Sequence, residues 1–371
     1  MVNTEKITTK QAYILFMLAA FSPLIRMSSV YGARLGGRAG WVSIFVACAA
    51  FYGFIILLGS CFKRQGSVDL YALYKSAFGR ILAKVIVVIY AVWVFMLAGF
   101  YLRGFADKFK ELIMPGVHDS FFTITLLALV FIILSGRLRN FAILSELFFY
   151  VVLFALAVIL VLQIPKIRPE NLLPVTQYDF HHIVRGTLPA LGVFAYITPL
   201  LFLGAADGGR AFKKHGLYSA GVLLAANLII FTVTTGIFGK DLTAVMEQPF
   251  IMSVKIVGAQ GMLERLESVF LLLWVVTDLA VIVMLTHIFL KITGLLTEIK
   301  RPEILRSPLL LGVYVISLFF GKNTYNITSL SEKYGLWVSL ILGFGIPLVA
   351  VGVIAVIHKK KISNQAFLPL K

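Results

Sequence analysis

The chain has 371 residues, of which 60% are apolar and 14% are charged, and its formal net charge is +17. A mean hydropathy of +0.93 lies outside the range of ordinary soluble domains, which excludes a soluble enzyme or binding module. The basic residues are spread over short loops and tails, which favours a membrane protein over a nucleic-acid-binding surface.

Ten apolar stretches predict ten transmembrane helices, because about 20 mostly apolar residues span the roughly 30 Å of hydrocarbon. We place the spans at about 11–30, 41–60, 82–102, 121–135, 141–163, 183–204, 218–237, 268–290, 307–320 and 336–357. The connections between them are too short to fold alone. We therefore expect an all-α polytopic membrane protein with a single domain over residues 1–371, in halves at about 11–163 and 183–357.

The first span contains polar residues and a proline at its middle. Pro23 follows Ser22 and removes an amide donor, so the backbone carbonyls freed there need partners from protein, water or ligand. Ser22 is a candidate ligand-binding residue for this reason. Arg26 has three readings: it clamps a ligand carboxylate, it pairs with Glu146 or Asp278, or it extends to a membrane interface.

The second and third spans carry cysteines and aromatic residues. Cys48 and Cys61 lie about 20 Å apart along one helix and cannot form a disulfide. Tyr90, Trp93 and Tyr101 on the third span form either a lid over a ligand or ordinary helix packing. Tyr90 is a candidate ligand-binding residue on the first reading.

The sixth span is interrupted in the segment 189–199 (PALGVFAYITP). It contains two prolines and three candidate ligand-binding residues, which are Gly192, Tyr196 and Thr198. The first and sixth spans head the two five-helix halves, and interrupted spans at corresponding positions are typical of a transporter binding site. The pattern thus predicts breaks in helices one and six that face a common ligand site.

Asp278 lies near the middle of the eighth span, on one helical stripe with Glu267 and Trp274. Three roles are open for Asp278: it binds an amine or cation, it carries a proton, or it is the counter-ion of Arg26 or Lys291. Glu146 on the fifth span has either a coupling or a structural role.

The sequence has no paired acids on a helix, no histidine-rich cluster and no nucleophile–base pair. We therefore expect neither an enzyme nor a bound metal or cofactor.

The distribution of lysine and arginine predicts that both termini are cytoplasmic. The cluster Lys359, Lys360 and Lys361 directly follows the last span, and we expect it to contact anionic lipid. No nucleic-acid partner is expected.

Three short segments resemble one known family. They are 7–11 (ITTKQ) before the first span, 37–41 (GRAGW) at the entry to the second, and 264–274 (ERLESVFLLLW) leading into the eighth. Their order and spacing resemble the spore germination permease family, the integral-membrane B subunits of nutrient germinant receptors, within the amino acid–polyamine–organocation superfamily. This resemblance implies two inverted five-helix repeats with a central site at the breaks of helices one and six.

The resemblance also implies a location and a role. It implies residence in the inner membrane of a spore, an A subunit and a C-subunit lipoprotein as partners, and the sensing of a small polar nutrient, often an amino acid, that triggers germination. The chain departs from the family where Ser22 and Pro23 replace a glycine opening and where Thr198 stands in place of a glutamate. These departures indicate either a different nutrient or a degenerate subunit. The alternative function is a proton-coupled amino acid transporter, with Asp278 or Glu146 cycling protons.

Overall fold

The computed structural model describes residues 7–112, 114, 116–204, 209–258, 266–299, 302–321 and 334–366. For residues 27, 112, 257–258, 266–267, 321 and 358–366 it describes the backbone alone. The predicted segment 264–265, the side chain of Glu267 and the lysines at 359–361 therefore lie outside the described residues or side chains.

Ten long helices appear in the described chain, in the order that the apolar stretches predict. The first, α1, is built from Thr9–Pro23, a π-helical turn Leu24–Ser28 and Ser29–Gly36. The others are α2 (Gly40–Gln65), α3 (Leu70–Leu112), α4 (Asp119–Ser135), α5 (Leu138–Gln163), α6 (Phe180–Phe194, Ile197–Leu200 and Leu201–Leu203), α7 (Gly209–Val245), α8 (Leu266–Thr297), α9 (Arg306–Gly321) and α10 (Leu336–Leu340, a π-helical turn Ile341–Gly345, and Ile346–Ala366).

The lengths of these helices fit a membrane. Within the described residues, 8 helical stretches are long and apolar enough to cross a bilayer, and α4 is apolar over 17 residues. The prediction of an all-α polytopic membrane protein is confirmed. The inverted relation between the two halves stays a prediction.

The start of α1 explains the first of the three short segments. Thr8 accepts a hydrogen bond from the Gln11 amide, and the Gln11 side chain accepts one from the Thr8 amide. This reciprocal capping box satisfies two amides that the first helical turn leaves without partners.

Helix α1 lies at the centre of the bundle. Its positions 13–25 are all buried, as expected for a helix that is apolar on every face. Its first part packs on α5, α7 and α8, and its last part packs on α6 and α7. A change in α1 therefore reaches most of the bundle.

The predicted interruption of α1 takes the form of a π-helical turn rather than unwound backbone. Pro23 has no amide hydrogen, and the next amide, that of Leu24, donates to the carbonyls of Ala20 and Phe21. Pro23, Leu24 and Ser28 keep right-handed helical dihedral angles. The wider turn accommodates the missing donor while the helix continues.

A buried ion pair joins α3 to α8. The Lys108 ammonium pairs with the Asp278 carboxylate, and the two side chains are 7% and 2% exposed. Ser22 of α1 donates a hydrogen bond to the other carboxylate oxygen. The ammonium also lies 3.9 Å from the centroid of the Trp274 ring. One carboxylate thus holds α1, α3 and α8 together.

We predict that Lys108→Met destabilises the protein by about 3–5 kcal/mol, because it leaves the Asp278 charge buried without its partner. Unfolding of the purified protein in detergent measures the loss. Adding Asp278→Asn to Lys108→Met should recover part of the loss, because no unpaired charge then remains.

Lys10→Met is the matched control. Lys10 pairs with Glu146 at 2.5 Å, but its side chain is 53% exposed, so its removal should change stability little. Equal stability of the Lys108→Met and Lys10→Met proteins would contradict the role given to the buried pair.

Candidate functional site: a cavity between four helices

A cavity of about 560 Å³ lies between α1, α3, α6 and α10. This volume is within the usual range for a small-molecule site, about 300–1,000 Å³. The walls are mostly apolar, and the polar lining residues come from α1, α6 and the start of α10. The lining residues are Pro23, Ser28, Tyr31, Val88, Ile89, Val92, Trp93, Met96, Leu97, Phe100, Pro189, Gly192, Val193, Tyr196, Phe320, Tyr334, Gly335, Leu336, Val338, Ser339 and Leu342.

The irregular segments of three helices meet at this cavity. Pro23 borders the π-helical turn of α1, and Gly192 and Tyr196 flank the point where α6 changes to a tighter turn, with the Ala195 amide 3.3 Å from the Gly192 carbonyl. Leu342 belongs to the π-helical turn of α10. The sequence predicted the first two interruptions and missed the third.

The interruption of α10 has the same chemical cause as that of α1. Pro347 has no amide hydrogen to offer the carbonyls of the preceding turn. Side chains supply the donors instead: Tyr90 of α3 donates to the Leu342 carbonyl, and Thr198 of α6 donates to the Gly343 carbonyl at 2.6 Å. These hydroxyls attach α10 to both neighbouring helices.

Tyr90 and Thr198 therefore stand next to the cavity rather than in its lining. Tyr90 is fully buried, and its hydroxyl also lies 2.8 Å from the hydroxyl of Tyr74. Their hydrogen bonds to α10 support the packing reading of Tyr90 and give Thr198 a structural partner. Their predicted contact with ligand stays a prediction.

Two other predicted residues, Gly192 and Tyr196, do line the cavity. The hydroxyls of Tyr196 and Tyr101 are 2.6 Å apart and form one hydrogen bond, which leaves one further hydroxyl hydrogen to donate. Ser28, also in the lining, donates to the side-chain oxygen of Asn227. The Asn227 amide nitrogen is buried and has no hydrogen-bond partner among the described residues.

Arg26 lies beside the cavity rather than in its lining. Its guanidinium is 4.8 Å from the centroid of the Phe100 ring, which lines the cavity. Its Nη1 atom is buried and has no hydrogen-bond partner in the described part of the chain. Gly104 leaves the space for this group, since a Cβ atom there would lie 1.8 Å from Nη1.

The two acids considered as partners for Arg26 are engaged elsewhere. Glu146 pairs with Lys10, and Asp278 pairs with Lys108. Arg26 forms no ion pair with any described residue. Arg26 is half-buried, and its buried Nη1 atom is free to donate, which supports the reading in which it binds a carboxylate brought by a ligand.

Ser22 and Asp278 do not line the cavity. Ser22 precedes the lining residue Pro23 and donates to Asp278. The counter-ion of Asp278 is Lys108, rather than Arg26 or Lys291, the two that the sequence suggested. Trp274 and Asp278 of the predicted stripe both meet the Lys108 ammonium.

Lys108 is the polar residue that the sequence analysis missed. The apolar stretch of the third span ends at 102, which predicts a loop at Lys108. The helical spacing of Phe105 and Phe109 beyond that point was a signal that α3 continues, and α3 in fact reaches Leu112.

Comparisons with known proteins support both the fold and the family. A family model described as spore germination protein matches residues 6–326. The solved structure of a Na⁺-coupled sialic acid symporter, in a substrate-bound outward-open state, has 10% identity and a TM-score of 0.63, and the match covers 93% of this chain and 79% of that chain. A manganese transporter from Eremococcus coleocola has 13% identity and a TM-score of 0.47, over 94% of this chain and 76% of that one.

A comparison with curated proteins finds no match. The likeness to the symporter shows a transporter fold, and nothing about a ligand follows from it at this identity. The family model covers most of the chain and confirms the resemblance drawn from the three short segments. The chain belongs to the spore germination protein family.

Proposed function

We propose that this chain is the membrane subunit of a spore nutrient germinant receptor and that the cavity binds a small amino acid-like nutrient. The observation that carries the proposal is the buried, unpartnered nitrogen of Arg26 beside a cavity of about 560 Å³. A guanidinium nitrogen that is free to donate next to a cavity suits a ligand that brings its own carboxylate.

The chemistry of the walls narrows the ligand further. Tyr196 and Ser28 offer hydroxyls on the α1 and α6 side, while Val92, Met96 and Leu97 of α3 offer an apolar surface. A ligand with one charged or hydrogen-bonding end and one apolar end fits both. The favoured nutrient is therefore an amino acid with an apolar side chain.

The response to the ligand would pass through α1. Pro23 lines the cavity, and the preceding residue, Ser22, donates to the ion-paired Asp278. If the ligand binds more tightly to an arrangement of the bundle in which α1 has shifted, its binding favours that arrangement. The shift of α1 would disturb the contact among α1, α3 and α8. The shift would then reach the proposed partners, an A subunit and a C-subunit lipoprotein, in the inner membrane of the spore.

A proton-coupled amino acid transporter is the second candidate. The observation that favours it is the Asp278–Lys108 pair, two buried titratable groups. Ser22, which donates to Asp278, directly precedes Pro23 of the cavity lining. In that case the pair would change its protonation as the bundle changes its access. The transporter fold is equally compatible with both functions.

We predict that Arg26→Gln raises the nutrient concentration needed for half-maximal germination by roughly ten- to a hundredfold, the equivalent of one charge-assisted hydrogen bond. Germination of spores that carry the variant, with protein amount checked by immunoblot, measures the shift. Arg38→Gln is the matched control, because Arg38 lies just beyond the end of the same helix and donates to the Leu173 carbonyl, and neither Arg38 nor Leu173 lines the cavity. Equal responses of the two variants would count against the site.

Gly104→Ala tests the position of the guanidinium without changing its charge. The new Cβ atom would meet Nη1 at 1.8 Å, so the Arg26 side chain has to move. We expect a loss of nutrient affinity in the same direction as Arg26→Gln and smaller. Gly53→Ala is the control, because no atom lies within 4 Å of its Cβ position; a wild-type response from Gly104→Ala would show that the guanidinium position is unimportant.

Uptake by the purified chain separates the two candidate functions. For the receptor we expect nutrient binding to the chain in liposomes without accumulation of radiolabelled amino acid. Accumulation that follows an imposed pH gradient, and that Asp278→Asn abolishes, would establish the transporter instead.

A further inference from the structure

The cavity opens sideways between the middle of α3 and the first part of α10. Seven residues of α3 line it, and four of them, Val88, Ile89, Val92 and Met96, are also 45–55% exposed on the outside of the bundle. Their spacing places them along one face of the helix. Opposite them, Val338 of α10 lines the cavity and is 40% exposed. We call this opening, as the described residues form it, the lateral mouth.

The course of α10 produces the mouth. Its first part, Leu336–Leu340, packs on α6, whereas its last part, Ile346–Ala366, packs on α3. The π-helical turn Ile341–Gly345 lies between the two parts, and the hydroxyls of Tyr90 and Thr198 hold it. The first part of α10 therefore stands away from α3 and leaves a gap.

The mouth lies at the depth of the acyl chains. Residues 85–102 of α3 carry no charge, and the residues of the mouth on that helix, 88–96, fall within this stretch. The helical stretch Leu336–Ile357, which contains Val338, is equally apolar. A bilayer would present hydrocarbon to this opening.

An apolar space of this size that opens onto hydrocarbon is not expected to stay empty. The atoms that line a void lose dispersion contacts, and water finds few hydrogen-bond partners on walls of valine, leucine, methionine and tryptophan. A flexible hydrocarbon chain restores those contacts at no cost in polar desolvation. The neighbouring lipids supply such chains.

We propose that an acyl chain of a bilayer lipid enters the cavity through the lateral mouth and contacts Trp93 and Leu97 when no nutrient is bound. Occupancy by lipid goes beyond the proposed function. The consequence of lipid occupancy rests on that function. The nutrient has to displace the acyl chain, so lipid composition sets the nutrient concentration at which the protein responds. Apolar nutrient side chains would be favoured because they replace the contacts of the displaced chain.

The four tryptophans of the chain provide the test, since they occupy distinct positions. Trp93 lines the cavity and is 6% exposed, Trp337 faces outward and is 54% exposed, and Trp274 is 3% exposed beneath Lys108. The indole nitrogens of Trp41 and Trp274 have no hydrogen-bond partner among the described residues. Replacing these two by phenylalanine therefore removes no hydrogen bond that the structure shows.

Three proteins, each retaining one tryptophan at 93, 274 or 337 and phenylalanine elsewhere, are placed in phosphatidylcholine vesicles with or without brominated acyl chains. Bromine quenches indole fluorescence on contact. We expect Trp93 to be quenched to an extent close to that of exposed Trp337, and Trp274 to be quenched little. Quenching of Trp93 as weak as that of Trp274 would overturn the proposal, because both side chains are almost equally buried.

A second variant tests the route. Val92→Phe and Val338→Phe together narrow the lateral mouth, and they should lower the quenching of Trp93 while leaving that of Trp337 unchanged. Unchanged quenching of Trp93 would overturn entry by this mouth.

Nutrient binding by the same proteins is measured separately. Loss of nutrient binding with quenching intact would refute the proposed function alone, and nutrient binding without quenching would refute the lipid proposal alone.

Discussion

Helices in a bilayer must satisfy every backbone carbonyl within the protein, and this constraint organises the centre of the structure. Prolines remove backbone donors from three helices that surround the cavity: Pro23 from α1, Pro189 and Pro199 from α6, and Pro347 from α10. Each of the three helices accommodates the missing donor differently. The first helix widens into a π-helical turn, the sixth tightens, and the tenth receives hydroxyl donors from Tyr90 and Thr198. The resulting irregular turns keep the helices from packing fully together, and the cavity is the space left between them.

A second consequence is that the cavity and the buried ion pair share α1. Pro23 faces the cavity, while Ser22 contacts the carboxylate that pairs with Lys108. A buried pair is costly to form and more costly to break, so it provides a state that resists small disturbances. This arrangement gives the proposed nutrient a structural route from the cavity to α3 and α8.

The helical order of the described chain was predictable, because hydropathy and length decide it. The interruptions in α1 and α6 were predictable from their prolines, although the π-helical form of the first was not, because a proline alone does not decide how the backbone accommodates the missing donor. Pro347 gives the same signal in the tenth span, although that span is otherwise mostly apolar. Of the seven residues predicted to bind ligand, Gly192 and Tyr196 line the cavity, whereas Thr198 and Tyr90 hold α10. The partner of Asp278 was beyond reach, since nothing in a single sequence shows that Lys108 of α3 meets α8.

The central claim is that the nutrient lies between α1, α3, α6 and α10 with its carboxylate at Arg26. An experimental structure of the receptor with an activating amino acid tests it most directly. The account predicts ligand density in the cavity, in contact with Tyr196 and with its carboxylate within hydrogen-bond distance of the Arg26 guanidinium. Density for the activating amino acid at another place in the complex, with this cavity unchanged, would contradict it.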